Sequence, residues 1–218
     1  QTDTNVSSTF PITPNDVVQF AYDADTGKIW VGRNNFWYND FWPQVVNQRV
    51  NLVFKERANY IFKYKNKFKL NFSKYYDVGS GNSEFLKLMQ FKIKKRVFGI
   101  EPSSGTHHFN KNIHVIKSTL ESSKLAKNSV SLFTVFELIE HTSSPYQFIC
   151  KLYDSLKPKG TLILSFADPE GFELKALGKN STQFLPPLHL NFMTVAGCTV
   201  LLKKIGFSEI KIISKGKL

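Results

Sequence analysis

Cysteine is scarce: Cys150 and Cys198 are the only two in 218 residues. Both stand in stretches of helical apolar spacing, which suits buried reduced thiols better than a disulfide framework or a metal site. A reducing, cytoplasmic compartment is therefore the expectation. Long apolar runs are also missing; despite 20 Phe and 8 Tyr, no stretch approaches the ~20 residues that a membrane span needs. Residues 1–10 lack a basic segment and an apolar core, so no secretory signal is read there. Arginine is the third shortage. Of 29 basic residues only Arg33, Arg49, Arg57 and Arg96 are Arg; set against 17 acidic residues they leave a formal charge of +12. Such a charge attracts nucleic acid through counterion release. A lysine surface nevertheless lacks the bidentate fork that reads bases, so nucleic acid is a secondary expectation.

What is present is a globular composition, 42% hydrophobic, with length for one α/β domain and a small appendage. The charge is uneven. Residues 1–50 hold Lys28, Arg33 and Arg49 against five Asp, which leaves the excess of positive charge to the rest of the chain. This marks a boundary between an N-terminal extension, residues 1–42, and a main domain, residues 43–218. In the extension, 16–22 and 28–32 alternate like strands around the turn residues 23–27, predicting a β-hairpin. The stretch from Asn15 to Trp37 resembles one hairpin of SPRY-type binding modules. From Pro43 to about Lys67 the residues Val46, Val50, Val53, Phe54, Ala58, Ile61 and Phe62 recur at helical spacing.

Beyond that helix, short apolar runs alternate with helical patterns. Strands are predicted at 74–78, 96–100, 113–117, 130–136, 161–166 and 209–214, with helices at 84–91, 146–156 and 194–205. Alternation of this kind implies a mostly parallel sheet with helices on both faces and a ligand site at the strands' carboxyl ends.

The chemistry concentrates at four of those ends. The first strand runs into Asp77-Val78-Gly79-Ser80-Gly81-Asn82-Ser83, where two glycines permit a sharp turn and close backbone approach. A diphosphate there would want a third glycine at Glu84 and would be repelled by Asp77 and Glu84. A cationic ligand suits these carboxylates better. The second strand ends in Glu101-Pro102, about twenty residues on, where a carboxylate can accept both hydroxyls of a ribose. The third leads to Lys117-Ser118-Thr119-Leu120-Glu121. The fourth carries Phe136-Glu137-Leu138-Ile139-Glu140-His141.

In this order the elements resemble the class I S-adenosylmethionine-dependent methyltransferases, a Rossmann-like α/β fold, and in particular the small-molecule branch that includes ubiquinone-biosynthesis O-methyltransferases. The resemblance runs from Pro43 to the C-terminus and implies S-adenosyl-L-methionine as cofactor and a small-molecule acceptor. Carried over, it places Asp77, Gly79, Ser80 and Gly81 beside the methionine and ribose parts and Glu101 with Pro102 at the ribose. Thr119 and Leu120 fall at the adenine edge, Phe136 and Glu137 near the sulfonium. Ser83 stands where the family has a third glycine, Ser131 where it has an Asp, and no sequence remains for the family's last strand.

Methyl transfer from a sulfonium is governed by alignment, and a base is needed only for a hydroxyl-like acceptor. His141 and His189 are the candidates, each with an alternative reading as a helix-starting or backbone-bonding residue. Glu137, Glu140, His141 and His189 also resemble the metal-ligand pattern of small-RNA 3′-end 2′-O-methyltransferases, a second reading whose donors would suit Mg²⁺ or Mn²⁺. No metal is expected in the first reading. The segment from Ala167 to His189 is expected to recognise the acceptor. A third alternative is a non-catalytic methyltransferase fold that serves as a binding module.

Overall fold

The computed structural model describes residues 18–23, 28–33, 36–38, 41–103, 111–181 and 189–213, with side chains from residue 52 onward except 173 and 180. Two compact units divide at Val53/Phe54. The first holds an antiparallel meander, β1 (Val18–Asp23), β2 (Lys28–Arg33) and β3 (Phe36–Tyr38), paired in that order. In β1 and β2 Asp23 faces Lys28, the register the hairpin pattern implies, while the turn itself and residues 16–17 lie outside the described residues. The third strand was not anticipated: three residues carry too little alternation to register.

Helix α1 (Phe41–Tyr64) leads into the second unit, where β4 (Tyr75–Val78), α2 (Glu84–Ile93), β5 (Val97–Ile100), β6 (Ile113–Ile116) and β7 (Val130–Phe136) follow. A 3-10 turn (Ile139–His141), α3 (Pro145–Ser155), β8 (Leu156–Ser165), α4 (Phe172–Leu177) and α5 (Val195–Ile205) complete the order. The five strands β4 to β8 form one sheet in the order β6-β5-β4-β7-β8, every pair parallel. The chain leaves β4 toward β6 and then returns to place β7 on β4's other side. That reversal opens a crevice at the carboxyl ends of β4 and β7.

Strand alternation sorts the core onto two faces. Tyr75, Val97 and Leu132 pack with Ala58 and Ile61 of α1 and Phe85, Leu86 and Met89 of α2. Tyr76, Val78, Phe133 and Val135 pack with Phe148, Ile149 and Leu152 of α3, joined by Leu201, Leu202 and Ile205 of α5. Removing each large aliphatic side chain from water contributes about 1.5–3 kcal/mol, so both helix pairs are held by burial rather than propensity. Local chemistry sets the helix starts. Ser144 Oγ accepts from the Gln147 N–H with Pro145 at the first helical position, and Thr194 Oγ1 accepts from the Gly197 N–H at 3.0 Å.

Two sequence expectations change. Residues 207–213 form no strand, so the sixth strand expected over 209–214 is absent among the described residues, and Ser214 lies outside them. The apolar Ile210, Ile212 and Ile213 supplied the pattern, but Ile212 and Ile213 are exposed, with no neighbouring strand to cover them. The strand read at 161–166 begins earlier, at Leu156, across an irregularity between the pairs Val130–Leu156 and Leu132–Thr161 that absorbs Lys157–Gly160. Both cysteines are free, Cys198 buried and Cys150 half-buried, and burial pushes the Cys198 thiol up to about 11. Among the described residues no helix is long and apolar enough to cross a membrane.

Candidate active site

The crevice is built from the ends of β4, β5 and β7. Asp77 ends β4's inward face on the α1 side and is 4% exposed. Its Oδ1 accepts from Thr134 Oγ1 at 2.6 Å, and that hydroxyl is 2.8 Å from the Tyr75 hydroxyl. Thr134 has one proton; once it is donated to Asp77, Tyr75 must donate in turn, so the three form a directed chain from the core to the site. Burial raises the Asp77 carboxyl to about 7, with Glu101 adding to the rise and the Thr134 hydrogen bond and the Arg57 charge opposing it.

Gly79 and Gly81 both take positive φ, +74° and +49°. The Gly79 N–H donates to the Ile100 carbonyl at 2.9 Å, which bends the loop over β5. A Cβ on Gly79 would lie 2.9 Å from Leu138, whereas one on Gly81 would meet nothing within 4 Å. Space is therefore open above Gly81. Its N–H donates to Glu101 Oε2 at 2.8 Å, and Ser103 N–H donates to Oε1 at 3.0 Å. Glu101 thus ties the loop after β4 to the loop after β5, and among the described residues each of its oxygens accepts one hydrogen bond and can accept another. Ser80 and Ser83 are buried, and neither hydroxyl has a hydrogen-bond partner among the described residues. Ser83, which stands where the family has a third glycine, takes φ +65°, so the position makes a glycine-like demand that serine meets under strain.

The structure brings Phe136 and Glu137 to the same place. Glu137 Oε1 accepts from Arg57 Nη2 at 2.9 Å and from Ser165 Oγ at 2.8 Å. The guanidinium carbon of Arg57 stands 4.7 Å from the Phe136 ring centroid, and Phe85 meets that ring edge-on at 5.1 Å. Arg57 and Thr134 were missed in the sequence. Arg57 sits among the solvated cations of an amphipathic helix, and Thr134 reads as an ordinary β-branched strand residue; only the fold sets them beside Asp77 and Glu137.

Pro102 and Thr119 are exposed, and Thr119 Oγ1 accepts from Ser122 N–H at 3.2 Å. The Leu120 side chain, 2% exposed, belongs to the core, so any contact from that position falls to its backbone. His141 and His189 come together with ring centroids 4.8 Å apart, edge to face. Glu140 does something else. Its buried carboxylate accepts from Ala167 N–H at 2.8 Å through Oε1, and its carbonyl accepts from Leu190 and Asn191 N–H. It thereby fastens both ends of the segment from Ala167 to His189, of which 182–188 lie outside the described residues. With Glu137 held by Arg57 and Glu140 turned to backbone, the four residues of the metal-ligand pattern do not converge. Among the described residues no group of three His, Cys, Asp or Glu is placed to hold a metal ion.

The chain is similar to known proteins in sequence and in fold. A family model described as a methyltransferase domain matches residues 76–164, from β4 into β8. The chain is 29% identical over 144 residues to a tRNA U34 carboxymethyltransferase of Desulfotalea psychrophila, covering 62% of this chain and 45% of that protein. It is also 29% identical over 157 residues to a tRNA U34 carboxymethyltransferase of Pseudoalteromonas atlantica, covering 65% and 46%. The chain thus spans a little under half the length of these curated relatives. In structure it is similar to a SAM dependent methyltransferase from Aquifex aeolicus, with TM-score 0.54 and 18% identity over 77% of this chain and 93% of that one, a likeness of fold.

Proposed function

We propose that this chain is a class I S-adenosylmethionine-dependent methyltransferase, that the crevice between β4 and β7 binds S-adenosylmethionine and that the enzyme transfers its methyl group to an acceptor, a reading supported by the matched methyltransferase domain and the shared fold. One observation carries this reading: a positive-φ glycine loop with open space over Gly81, closed on one side by the Glu101 carboxylate. The residues fit the cofactor. The buried, unpartnered hydroxyls of Ser80 and Ser83 belong to this loop, and the carboxylates of Asp77 and Glu101 match the cofactor's cations and ribose hydroxyls.

When bound, the cofactor supplies a methyl group already activated by positive sulfur. The chain's own part is alignment. Glu101 would take the ribose, Thr119 and the Leu120 backbone the adenine edge, and Asp77 the ammonium end. Arg57 offers a guanidinium fork to a carboxylate, and its ion pair with Glu137 holds that acid beside Phe136 rather than free in the crevice. His141 and His189, whose rings lie 4.8 Å apart, would supply the base that a hydroxyl or nitrogen acceptor needs.

For the acceptor, the resemblance supports a small molecule admitted beside the segment after β8, which Glu140 fastens at both ends. A second reading, an RNA nucleoside, is favoured by the two curated relatives, both tRNA U34 carboxymethyltransferases, and by the +12 charge. The test is calorimetry with S-adenosylhomocysteine, followed by label transfer from S-adenosylmethionine to bulk tRNA and to phenolic small molecules. Binding with label on either acceptor class supports the proposal. Absence of S-adenosylhomocysteine binding at millimolar concentration would sink it.

A further inference from the structure

On α1 the positions of Arg57, Tyr60 and Tyr64 share one face, because steps of three and four residues return to the same side of a helix. Arg57 reaches the crevice through Glu137. Tyr64 lies about 10 Å farther along the axis at 1.5 Å per residue. The Tyr60 and Tyr64 rings are 4.6 Å apart, and Phe68, in the turn beyond, continues the row at 5.7 Å. Lys63 Nζ stands 5.5 Å from the Tyr64 centroid, and Lys67 Nζ is 5.9 Å from both Tyr64 and Phe68. The rings are half-buried while Lys63, Lys65, Lys67 and Lys69 are exposed. Residues 60–74 carry five Lys and no Asp or Glu. Together with Lys211 and Ile212, the rings and Lys67 line an open cavity of about 300 Å³.

We propose that this row is a docking track for single-stranded RNA that leads toward the crevice. The inference rests on the RNA reading of the acceptor and adds the surface that would hold the nucleotides beside the reacting one. An apolar protein partner would have to desolvate the lysines without compensation. An acidic peptide would match the charge but leave the ring faces unused. A single RNA strand offers both counterparts, phosphates for lysines acting as point charges and base faces for the aromatic row. The shortage of Arg, which speaks against base reading in a duplex groove, is no obstacle here, since stacking needs no fork.

The test uses the whole 218-residue chain with S-adenosylhomocysteine present, and follows fluorescence anisotropy of a labelled single-stranded RNA of roughly a dozen nucleotides at several salt concentrations. Tyr64→Leu, which keeps apolar bulk and loses the π face, should weaken RNA binding about five- to a hundredfold. Lys63→Ala with Lys67→Ala should lower the salt slope by about 1.4, that is ~0.7 for each lost phosphate contact. Both variants should bind S-adenosylhomocysteine as the wild type does, which shows them folded. If RNA binds on the row while label never reaches it, the RNA-acceptor reading fails and the track stands. Failure of the wild type to bind RNA, unchanged RNA affinity in both variants, or competition by poly-glutamate equal to that of unlabelled RNA would overturn the track.

Discussion

At the scale of single residues, Glu101 bears more than one task. Its carboxylate accepts the N–H groups of Gly81 and Ser103 and would also take the ribose. Replacing it with alanine removes charge-assisted hydrogen bonds, typically about 1.5–3 kcal/mol, so S-adenosylhomocysteine should bind roughly ten- to a hundredfold more weakly in calorimetry. Because the same side chain closes the glycine loop, Glu101→Ala should also melt at a lower temperature than the wild type, whereas a mere strand-end carboxylate would leave both readings unmoved. Asp77 makes a prediction about pH. Its folded value of about 7 lies above the ordinary 3.8, so the folded state binds the extra proton between these limits. Its contribution to stability therefore falls as pH rises from about 4 to about 7. A cationic cofactor favours the ionised form and lowers that value, so binding should release a proton near neutrality and strengthen as pH rises toward 7. Titrations in two buffers of different ionisation enthalpy read the proton, and Asp77→Asn should abolish the release.

At the scale of elements, the loop between β4 and α2 shows why a motif is not yet a geometry. Gly79 and Gly81 were legible as a turn, but the third position of the loop, Ser83, turns out to take φ +65° with its hydroxyl buried and unpartnered. Left-handed backbone costs a non-glycine residue about 1–2 kcal/mol, and glycine's extra freedom when unfolded returns part of that. Ser83→Gly should then stabilise the protein by about 1 kcal/mol in urea unfolding, with no loss of helix α2. A destabilised Ser83→Gly variant would mean that the serine hydroxyl has a partner in the folded protein. The failed sixth strand belongs at this scale too. Its alternating isoleucines satisfy a strand's period, but a strand also needs a neighbour for its backbone, and no element of the sheet offers one at 207–213.

At the scale of the whole molecule, the chain separates into an N-terminal meander and the parallel-sheet unit, with α1 continuing across the division at Val53/Phe54. A chain beginning at Phe41 keeps all of α1, and with it Arg57 and the face that covers Phe85, Leu86 and Met89. Such a chain should fold and bind S-adenosylhomocysteine with unchanged affinity by calorimetry. Loss of helical circular dichroism or of binding would make the meander part of the catalytic unit. Cutting at Phe54 instead, inside the helix, should cost stability, since the first turn would lose its amide partners.

Sequence by itself determined the order of strands and helices and the acids and glycines at the strand ends, because short apolar runs, turn residues and carboxylates leave local traces. From 74 to 205 those traces found every core strand and the main covering helices within a few residues. Tertiary structure alone decided the partnerships. Thr134 serves Asp77 because β7 lies against β4 in one register, and Arg57 serves Glu137 because α1 packs on the same face. Glu140, read as a metal-ligand alternative, instead fastens the segment after β8, since its carboxylate is buried beside Ala167. Residue type and spacing state what a side chain can do; which atom it meets depends on contacts between residues 57 to 80 positions apart, and such contacts leave no local pattern.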